Sequence, residues 1–240
     1  VQKSNHLFFG IAYDLLRNLS FNLEVYYKTM PNMANANKDK LFADDKEHET
    51  RPEYLRKEYI IENGNAYGGD VSLKYDNGRL YVWAIYSLGK VTKENEIFTY
   101  APHYDRRHNV NILCNYQFGM DRSFELSLRW NYGSGFPFTP TASMMEYVDW
   151  SDGMSTDWIN QNGTLTTIYG DLNSKRLPDY HRFDISAKKR FDIGKRSILE
   201  INLSVTNVYN RNNLFYVNRI TSERVDQLPI MPSLGVSCTF

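Results

Sequence analysis

Residues 124–132 read FELSLRWNY, so apolar side chains alternate strictly with polar ones. The same alternation recurs in residues 19–27 (LSFNLEVYY), 199–206 (LEINLSVT) and 234–240 (LGVSCTF). Successive side chains of a β-strand point to opposite faces of its sheet, so a period of two residues predicts strands with one apolar and one polar face. The sequence therefore predicts an all-β protein.

Along the whole chain this pattern predicts about nine strands, joined by connections that alternate between short and long. The predicted strands are residues 5–16, 19–30, 65–76, 79–90, 106–118, 123–134, 180–191, 196–209 and 231–240. The short turns are residues 17–18, 76–78, 119–122 and 192–195, and the long connections are residues 31–64, 91–105, 135–179 and 210–230. Residues 43–60, rich in Glu and Lys, are the best candidate for a helix, although their apolar stripe is thin.

Composition excludes several classes of protein. The chain has 240 residues, with 28 basic and 28 acidic side chains, so charge gives no argument for a nucleic-acid partner. No apolar run approaches the roughly 20 residues that a membrane helix needs. Cys114 and Cys238 fit no metal-binding spacing, and the five histidines form no H-x-x-x-H pair. We therefore expect no metal, no cofactor and no catalytic residues.

Two architectures fit the alternation: a soluble β-sandwich and a transmembrane β-barrel. Three features favour the barrel: long strands, charges of both signs on the polar face, and aromatic side chains near the ends of the apolar face. Long connections at one rim and short turns at the other are also typical of outer-membrane barrels. The barrel interpretation directs Leu126, Leu128, Ile201, Leu203 and Val236 to lipid. It directs Glu125, Arg129, Asp184, Lys188, Glu200 and Asn202 to the lumen.

Several segments resemble, in order along the chain, those of TonB-dependent outer-membrane receptors of the Bacteroidetes type. Residues 66–70 (AYGGD) are similar to a Gly-x-x-x-Gly-x-Glu strand opening, with Asp70 in place of Glu. The other similar segments are residues 101–109 (APHYDRRHN), 132–140 (YGSGFPFTP), 176–184 (RLPDYHRFD), 202–210 (NLSVTNVYN) and 228–236 (LPIMPSLGV).

The resemblance implies an antiparallel transmembrane β-barrel of about 22 strands with an N-terminal plug. This chain would supply the last nine strands, as the C-terminal segment of the barrel across residues 1–240, while the plug and earlier strands lie elsewhere. Phe240 would be the outer-membrane insertion signal read by the barrel-assembly machinery. The implied partners are outer-membrane lipid, the plug, the TonB complex acting through the missing part, and a nutrient ligand of unknown class.

The expected function is energy-coupled nutrient uptake across the bacterial outer membrane, without covalent chemistry. An outer-membrane β-barrel enzyme or a soluble glycan-binding β-module remains the alternative. Within the aromatic-rich segment 135–179, Tyr147, Trp150, Trp158 and Tyr169 are the candidate substrate-binding residues, since aromatic faces bind sugars, peptides and cations. The same rings have a structural interpretation, packing the loop against its neighbours. The lumen charges likewise either guide substrate or contact the plug.

Overall fold

The computed structural model describes residues 2–37, 42–95, 97–147, 164–193 and 197–240. Strands dominate these residues, and the helices are a single 3-10 turn, Lys46–His48, and the single-turn α1, Glu53–Arg56. The strands are β1 Asn5–Leu16, β2 Leu19–Ala36, β3 Tyr59–Asp76, β4 Leu80–Glu94, β5 Thr99–Tyr100, β6 His108–Phe118, β7 Phe124–Gly133, β8 Pro137–Phe138, β9 Thr141–Tyr147, β10 Thr164–Tyr169, β11 Lys175–Arg176, β12 Tyr180–Asp192, β13 Ile198–Thr206, β14 Leu214–Val217, β15 Arg224–Asp226 and β16 Met231–Thr239.

One large antiparallel sheet contains all nine predicted strands. Its order is β1-β2-β3-β4-β6-β7-β12-β13-β16, and the short strand β5 pairs with the end of β4. Each long strand pairs with its neighbours in the chain, as in a meander. The predicted all-β antiparallel fold is therefore confirmed.

The register places the apolar and polar alternates of neighbouring strands on matching faces. Leu126 lies opposite Ala187, which lies opposite Leu203, and Ile201 lies opposite Val236. On this face Leu203 is 56 % exposed, Leu234 66 % and Val236 64 %, whereas Ala66 is the one buried hydrophobic residue in the described part of the chain. Among the described residues the sheet is thus a single layer with no second sheet packed against its apolar face, unlike a sandwich, where two sheets enclose a core.

The short turns are built from local sequence chemistry. Gly78 and Gly119 adopt φ of 81° and 84°, a region that glycine enters without a Cβ clash. The Asp76 carboxylate accepts a hydrogen bond from the Gly78 amide at 2.9 Å, and the Asn77 side chain accepts one from the Leu80 amide at 2.8 Å. Short polar side chains of this kind stabilise turns by bonding to the backbone a few residues ahead.

The structure differs from the sequence prediction mainly in the long connections. Strands β2 and β3 continue pairing to Ala36 and Tyr59, past an irregularity between Met30 and Met33 where Asn32 has a φ of 55°. Three small sheets, β9 with β10, β8 with β11 and β14 with β15, lie within connections expected to lack strands. The helical candidate, residues 43–60, forms only the two single turns. Neither helix among the described residues is long and apolar enough to cross a membrane.

Candidate functional site

The polar face of β7, β12 and β13 carries a set of charges in register. Glu125 lies opposite Lys188, and their charged atoms are 3.8 Å apart. Arg129 lies opposite Asp184, and Glu200 lies opposite Arg190. Directly paired residues share a face, so the five side chains predicted to line the lumen all belong to one side of the sheet. These residues are Glu125, Arg129, Asp184, Lys188 and Glu200.

A shallow depression of about 410 Å³ lies on this face where the chain reaches its last strand. It is lined by Glu125, Lys188, Glu200 and Asn202, with Gly235 and its neighbours in β16 as its far wall. A Cβ at Gly235 would lie at an ordinary contact distance of 3.9 Å from Asn202, so a side chain there would fit and would occupy part of the depression. The lining presents two carboxylates and one ammonium group, an arrangement suited to a polar or cationic contact.

At the long-loop end of the sheet, the fully buried Asp105 joins three segments of the chain. Its carboxylate accepts a hydrogen bond from the Val91 amide at 2.7 Å and another from the Arg176 guanidinium. The guanidinium of Arg107 lies 3.6 Å away. Arg176 also donates to the carbonyl of Asp105 at 2.9 Å and to that of Gly135 at 3.0 Å. A buried carboxylate needs such partners, and here they tie the loops to the strand ends.

Arg106 crosses the end of β7 beside this network. Its guanidinium lies 4.1 Å from the ring centroid of Phe136 and 6.0 Å from that of Tyr180. A Cβ at Gly133 would come within 2.4 Å of the same guanidinium, so any other residue there would displace the Arg106 side chain from this position. The Gly133 position in the segment YGSGFPFTP is thereby explained by close packing of a cation among aromatic rings.

Asp179 fixes the chain as it enters β12. It accepts a hydrogen bond from the Tyr132 hydroxyl at 2.8 Å and another from the Gly135 amide at 3.0 Å. The Tyr132 hydroxyl and then the Gly135 amide hold the pKa of the Asp179 carboxyl below its usual value, because both stabilise its charged form. Arg211 donates to the Asp179 carbonyl at 3.1 Å.

Asn207 terminates β13 and organises the loop that follows. It is fully buried and has a left-handed φ of 55°, which Asn adopts more readily than most residues. Its amide nitrogen donates to the carbonyls of Arg211 and Leu228 at 2.9 and 3.1 Å, and its oxygen accepts from the Arg211 amide at 3.0 Å. All of this amide's hydrogen-bonding groups are thus satisfied inside the loop.

Glu62 plays a similar part where β3 extends beyond its predicted start. Only 1 % of this residue is exposed. Its carboxylate accepts hydrogen bonds from Tyr100 at 2.8 Å, Asn35 at 3.1 Å and Lys93 at 3.3 Å. Burial and then the bond to Glu62 raise the pKa of the Tyr100 hydroxyl. Sequence reasoning missed Glu62, Asp105 and Asn207 as structural residues, although the latter two lie in segments that carry the family resemblance.

The candidate ligand-binding residues are only partly described. Trp150 and Trp158 lie outside the residues that the structure describes, as does the side chain of Tyr147. Tyr169, at the end of β10, is 61 % exposed, and the guanidinium of Arg219 lies 5.0 Å from its ring centroid. The role of these four residues in ligand binding stays a prediction. Phe240, the predicted insertion signal, is 96 % exposed.

Within the described ranges, one cluster of side chains could offer ligands to a metal ion. Side-chain ligand atoms of Asp45, Glu47 and His48 lie within 4.8 Å of one another on the long connection between β2 and β3. The Asp45 carboxylate caps the 3-10 turn by accepting from the His48 amide at 3.1 Å, and it lies 2.7 Å from the His48 ring nitrogen. Helix capping accounts for this arrangement.

The comparisons with known proteins yield structural similarity only. No family model matches the chain, and no curated protein matches it. Among solved structures, it is similar to the ferric-catecholate import receptor Fiu of E. coli K12, with a TM-score of 0.60 and 14 % identity over 99 % of this chain and 27 % of that one. The chain is also similar to the ferripyoverdine receptor of the outer membrane of Pseudomonas aeruginosa. The TM-score is 0.62 and the identity 13 %, over 100 % of this chain and 27 % of that one.

A third comparison, with the pyoverdine outer-membrane receptor FpvA of P. aeruginosa PAO1, gives a TM-score of 0.58 and 12 % identity over 100 % of this chain and 30 % of that one. The chain thus spans less than a third of the length of each receptor. At such identities the likeness establishes the fold: the antiparallel sheet matches part of the β-barrel wall of TonB-dependent outer-membrane receptors.

Proposed function

We propose that this chain forms part of the barrel wall of an outer-membrane receptor that imports a nutrient by TonB-dependent transport. The observation that carries the proposal is the single-layer sheet, whose apolar face is exposed and whose polar face carries paired charges in register. In a bilayer the apolar face contacts lipid and the polar face contacts the lumen. An exposed apolar face of this size is typical of a surface that contacts a membrane or a partner, and it is rarely left in contact with water.

The remainder of the proposal follows from the receptor architecture. Residues 1–240 form the C-terminal segment of the barrel, and the plug and the earlier strands complete it. Two edges of the described sheet, β1 and β16, have a free side, and an unpaired edge is costly in lipid, so each pairs with a strand outside this chain. Phe240 serves the barrel-assembly machinery. The TonB complex acts through the plug, and the Bacteroidetes type of receptor fits the segments that carry the resemblance.

The polar face then lines the passage beside the plug. Its ion pairs, such as Lys188 with Glu125, give the wall a fixed arrangement of charges against which polar plug groups pack. Ligand capture takes place at the long-loop rim, because loops present side chains outside the membrane without breaking the strand ladder. The ligand is a glycan, a peptide, a chelated metal or a cobalamin.

The orientation of the two faces is tested with neighbouring residues on β13. We expect Leu203→Arg to destabilise the intact receptor by about 2 kcal/mol or more, because it places a charge in lipid. Asn202→Arg, on the opposite face, is the matched control and should cost less than about 1 kcal/mol. Unfolding of the purified receptor in lipid vesicles measures both, and outer-membrane fractionation shows insertion. A larger effect of Asn202→Arg would contradict the proposal.

Ligand capture is tested at the aromatic segment between β9 and β10. Replacing Trp150 and Trp158 together by Ala should weaken binding of the receptor's nutrient by about 1 kcal/mol per ring, while insertion into the outer membrane is unchanged. Uptake screening with glycans, peptides, chelated iron and cobalamin identifies the nutrient, and titration then gives its affinity for both proteins. Equal affinities would move the binding site to the plug or to the rest of the barrel.

A further inference from the structure

The apolar face of β2, β3 and β4 contains a groove of about 540 Å³. Its floor is Gly69, which lies opposite Val25 on one side and Leu88 on the other. A Cβ at Gly69 would lie 3.2 Å from the Glu24 carbonyl oxygen and 3.3 Å from a methyl carbon of Val25, so any larger side chain would fill the groove. The side walls are formed by Leu23, Val25, Tyr67, Val71, Tyr86 and Leu88.

Two cations, Lys90 and Arg107, line one end of this groove. The Lys90 ammonium lies 5.9 Å from the ring centroid of Tyr67, and within the described residues no carboxylate lies in ion-pairing distance of it. Arg107 lies 3.6 Å from the Asp105 carboxylate, but Asp105 also binds Arg176, so two guanidinium groups share one negative charge. The end of the groove therefore carries a net positive charge.

The two cations lie at the depth where lipid headgroups meet a barrel. Along β4, Lys90 follows Leu80 by ten residues, and Leu80 is next to the short turn. At a rise of about 3.3 Å per residue and a tilt of about 40°, this distance spans about 25 Å of membrane thickness, the usual height of the apolar band. Tyr67, directly opposite Lys90, is a residue type that favours the same interface.

We propose that the groove binds a phosphate-bearing lipid of the outer leaflet, with an acyl chain over Gly69 and the phosphate against Lys90 and Arg107. This proposal rests on the outer-membrane location proposed above. A lipid fits better than a second copy of the chain, because the groove is apolar along its walls and charged only at its headgroup end. An anion at that end complements the net positive charge, and basic residues near a membrane surface bind anionic lipids in this way.

The test uses the intact receptor, purified in a neutral detergent and titrated with dipalmitoyl phosphatidylglycerol under native mass spectrometry. We expect a preferentially bound lipid that dipalmitoyl phosphatidylcholine, with the same chains and no net charge, does not replace. Lys90→Gln should weaken phosphatidylglycerol binding about fivefold, and Lys90→Arg should restore it. Lys189→Gln is the control, because Lys189 lies on the same face near the short turns.

The groove itself is tested separately from its charges. Gly69→Leu should fill it and weaken binding of the lipid by about tenfold or more. Ala84→Leu places the same side chain on the apolar face of β4 outside the groove, and it should leave binding unchanged. Unchanged binding in Gly69→Leu would refute the proposal. If lipid binding is unchanged in Gly69→Leu and inorganic phosphate displaces the lipid from Lys90, then the two cations bind phosphate without the groove.

Two other results would also overturn the proposal that the groove binds a lipid. Loss of a receptor dimer in Gly69→Leu, with no bound lipid mass in the wild type, would assign the groove to a second copy. Fractionation separates this proposal from the one on which it rests. A receptor that sediments with the outer membrane but retains no anionic lipid refutes the lipid site alone, whereas a receptor absent from the outer membrane refutes both.

Discussion

The two ends of the main sheet are held by different kinds of hydrogen bond. At the short-turn end, Asp76 and Asn77 bond to backbone amides two or three residues away, and these contacts remain exposed. At the long-loop end, Asp105 is buried and bonds to Arg176, 71 residues further along the chain. The short turns are thus specified by their own sequence, whereas the loops depend on distant buried partners that fix the position of their ends.

The largest expected effect compares the two ends directly. Asp105→Ala removes the buried carboxylate that accepts from the Arg176 guanidinium and the Val91 amide, so we expect it to lower the free energy of unfolding by about 3 kcal/mol. Asp76→Ala removes one exposed turn hydrogen bond and should cost about 0.5 kcal/mol. Denaturant titration of the intact protein in lipid vesicles, followed by its heat-modifiable gel mobility, measures both.

A double substitution shows whether the Asp105 effect comes from the pair itself. Because Arg176 loses its buried partner in Asp105→Ala, adding Arg176→Ala should cost less than the sum of the two single changes. Additive effects, or equal losses for Asp105→Ala and Asp76→Ala, would mean that the two ends are not held differently.

A smaller effect is expected at Asn207, where backbone conformation and hydrogen bonding are separable. Asn207→Ala loses the bonds to Arg211 and Leu228 and forces a β-carbon into left-handed backbone, for a total of about 2 kcal/mol. Asn207→Gly loses the same bonds without that clash and should be about 1 kcal/mol less harmful. Thermal unfolding of both variants measures the difference. Equal losses would assign the whole effect to the hydrogen bonds.

The smallest effect is a pH dependence at Asp179. Its pKa is depressed in the folded protein, so the charged carboxylate contributes stability that is present above its unfolded pKa of about 3.9 and is lost as pH falls through the lower folded value. Asp179→Asn should therefore reduce the loss of stability between pH 7 and pH 3, as measured by denaturation midpoints. Asp121 in a short turn, whose pKa the Ser123 side chain lowers, is the local counterpart.

Asp121→Asn should leave the contacts of the long loops intact. In Asp179→Asn, by contrast, residues 164–179 should become more sensitive to protease at pH 7, because the bonds from Tyr132 and Gly135 weaken. Protection of these residues in both variants would remove Asp179 from the group of residues that anchor the loops.

The difference between the two ends also explains what the sequence predicts. All nine long strands follow from the alternation of residues such as Leu126, Ser127 and Leu128, because a local period directly reflects the two faces of a sheet. The same pattern placed Glu125 and Lys188 on one face. The short turns follow from local residues such as Gly78. In each case the information lies within a few consecutive positions.

The extensions of the strands and the loop contacts have no such local signal. Residues 31–36 read PNMANA, which has neither a regular period nor a strand composition, yet residues 33–36 pair with β3. Beside this pairing the buried Glu62 binds Asn35, Lys93 and Tyr100. The pairing of Asp105 with Arg176 depends on how the folded strands bring two loops together. Only the resemblance to receptor segments pointed to these residues, and it gave no partners.

The meander order of the sheet bears on how such a wall changes during evolution. Each long strand pairs only with the strands that precede and follow it in the sheet's chain order, from β1 to β16. Gaining or losing a hairpin therefore leaves the remaining pairings as they are, since no crossover connection has to be rerouted. Because barrel diameter grows with strand number, duplication of hairpins widens a pore in small steps while the existing rims keep their loops.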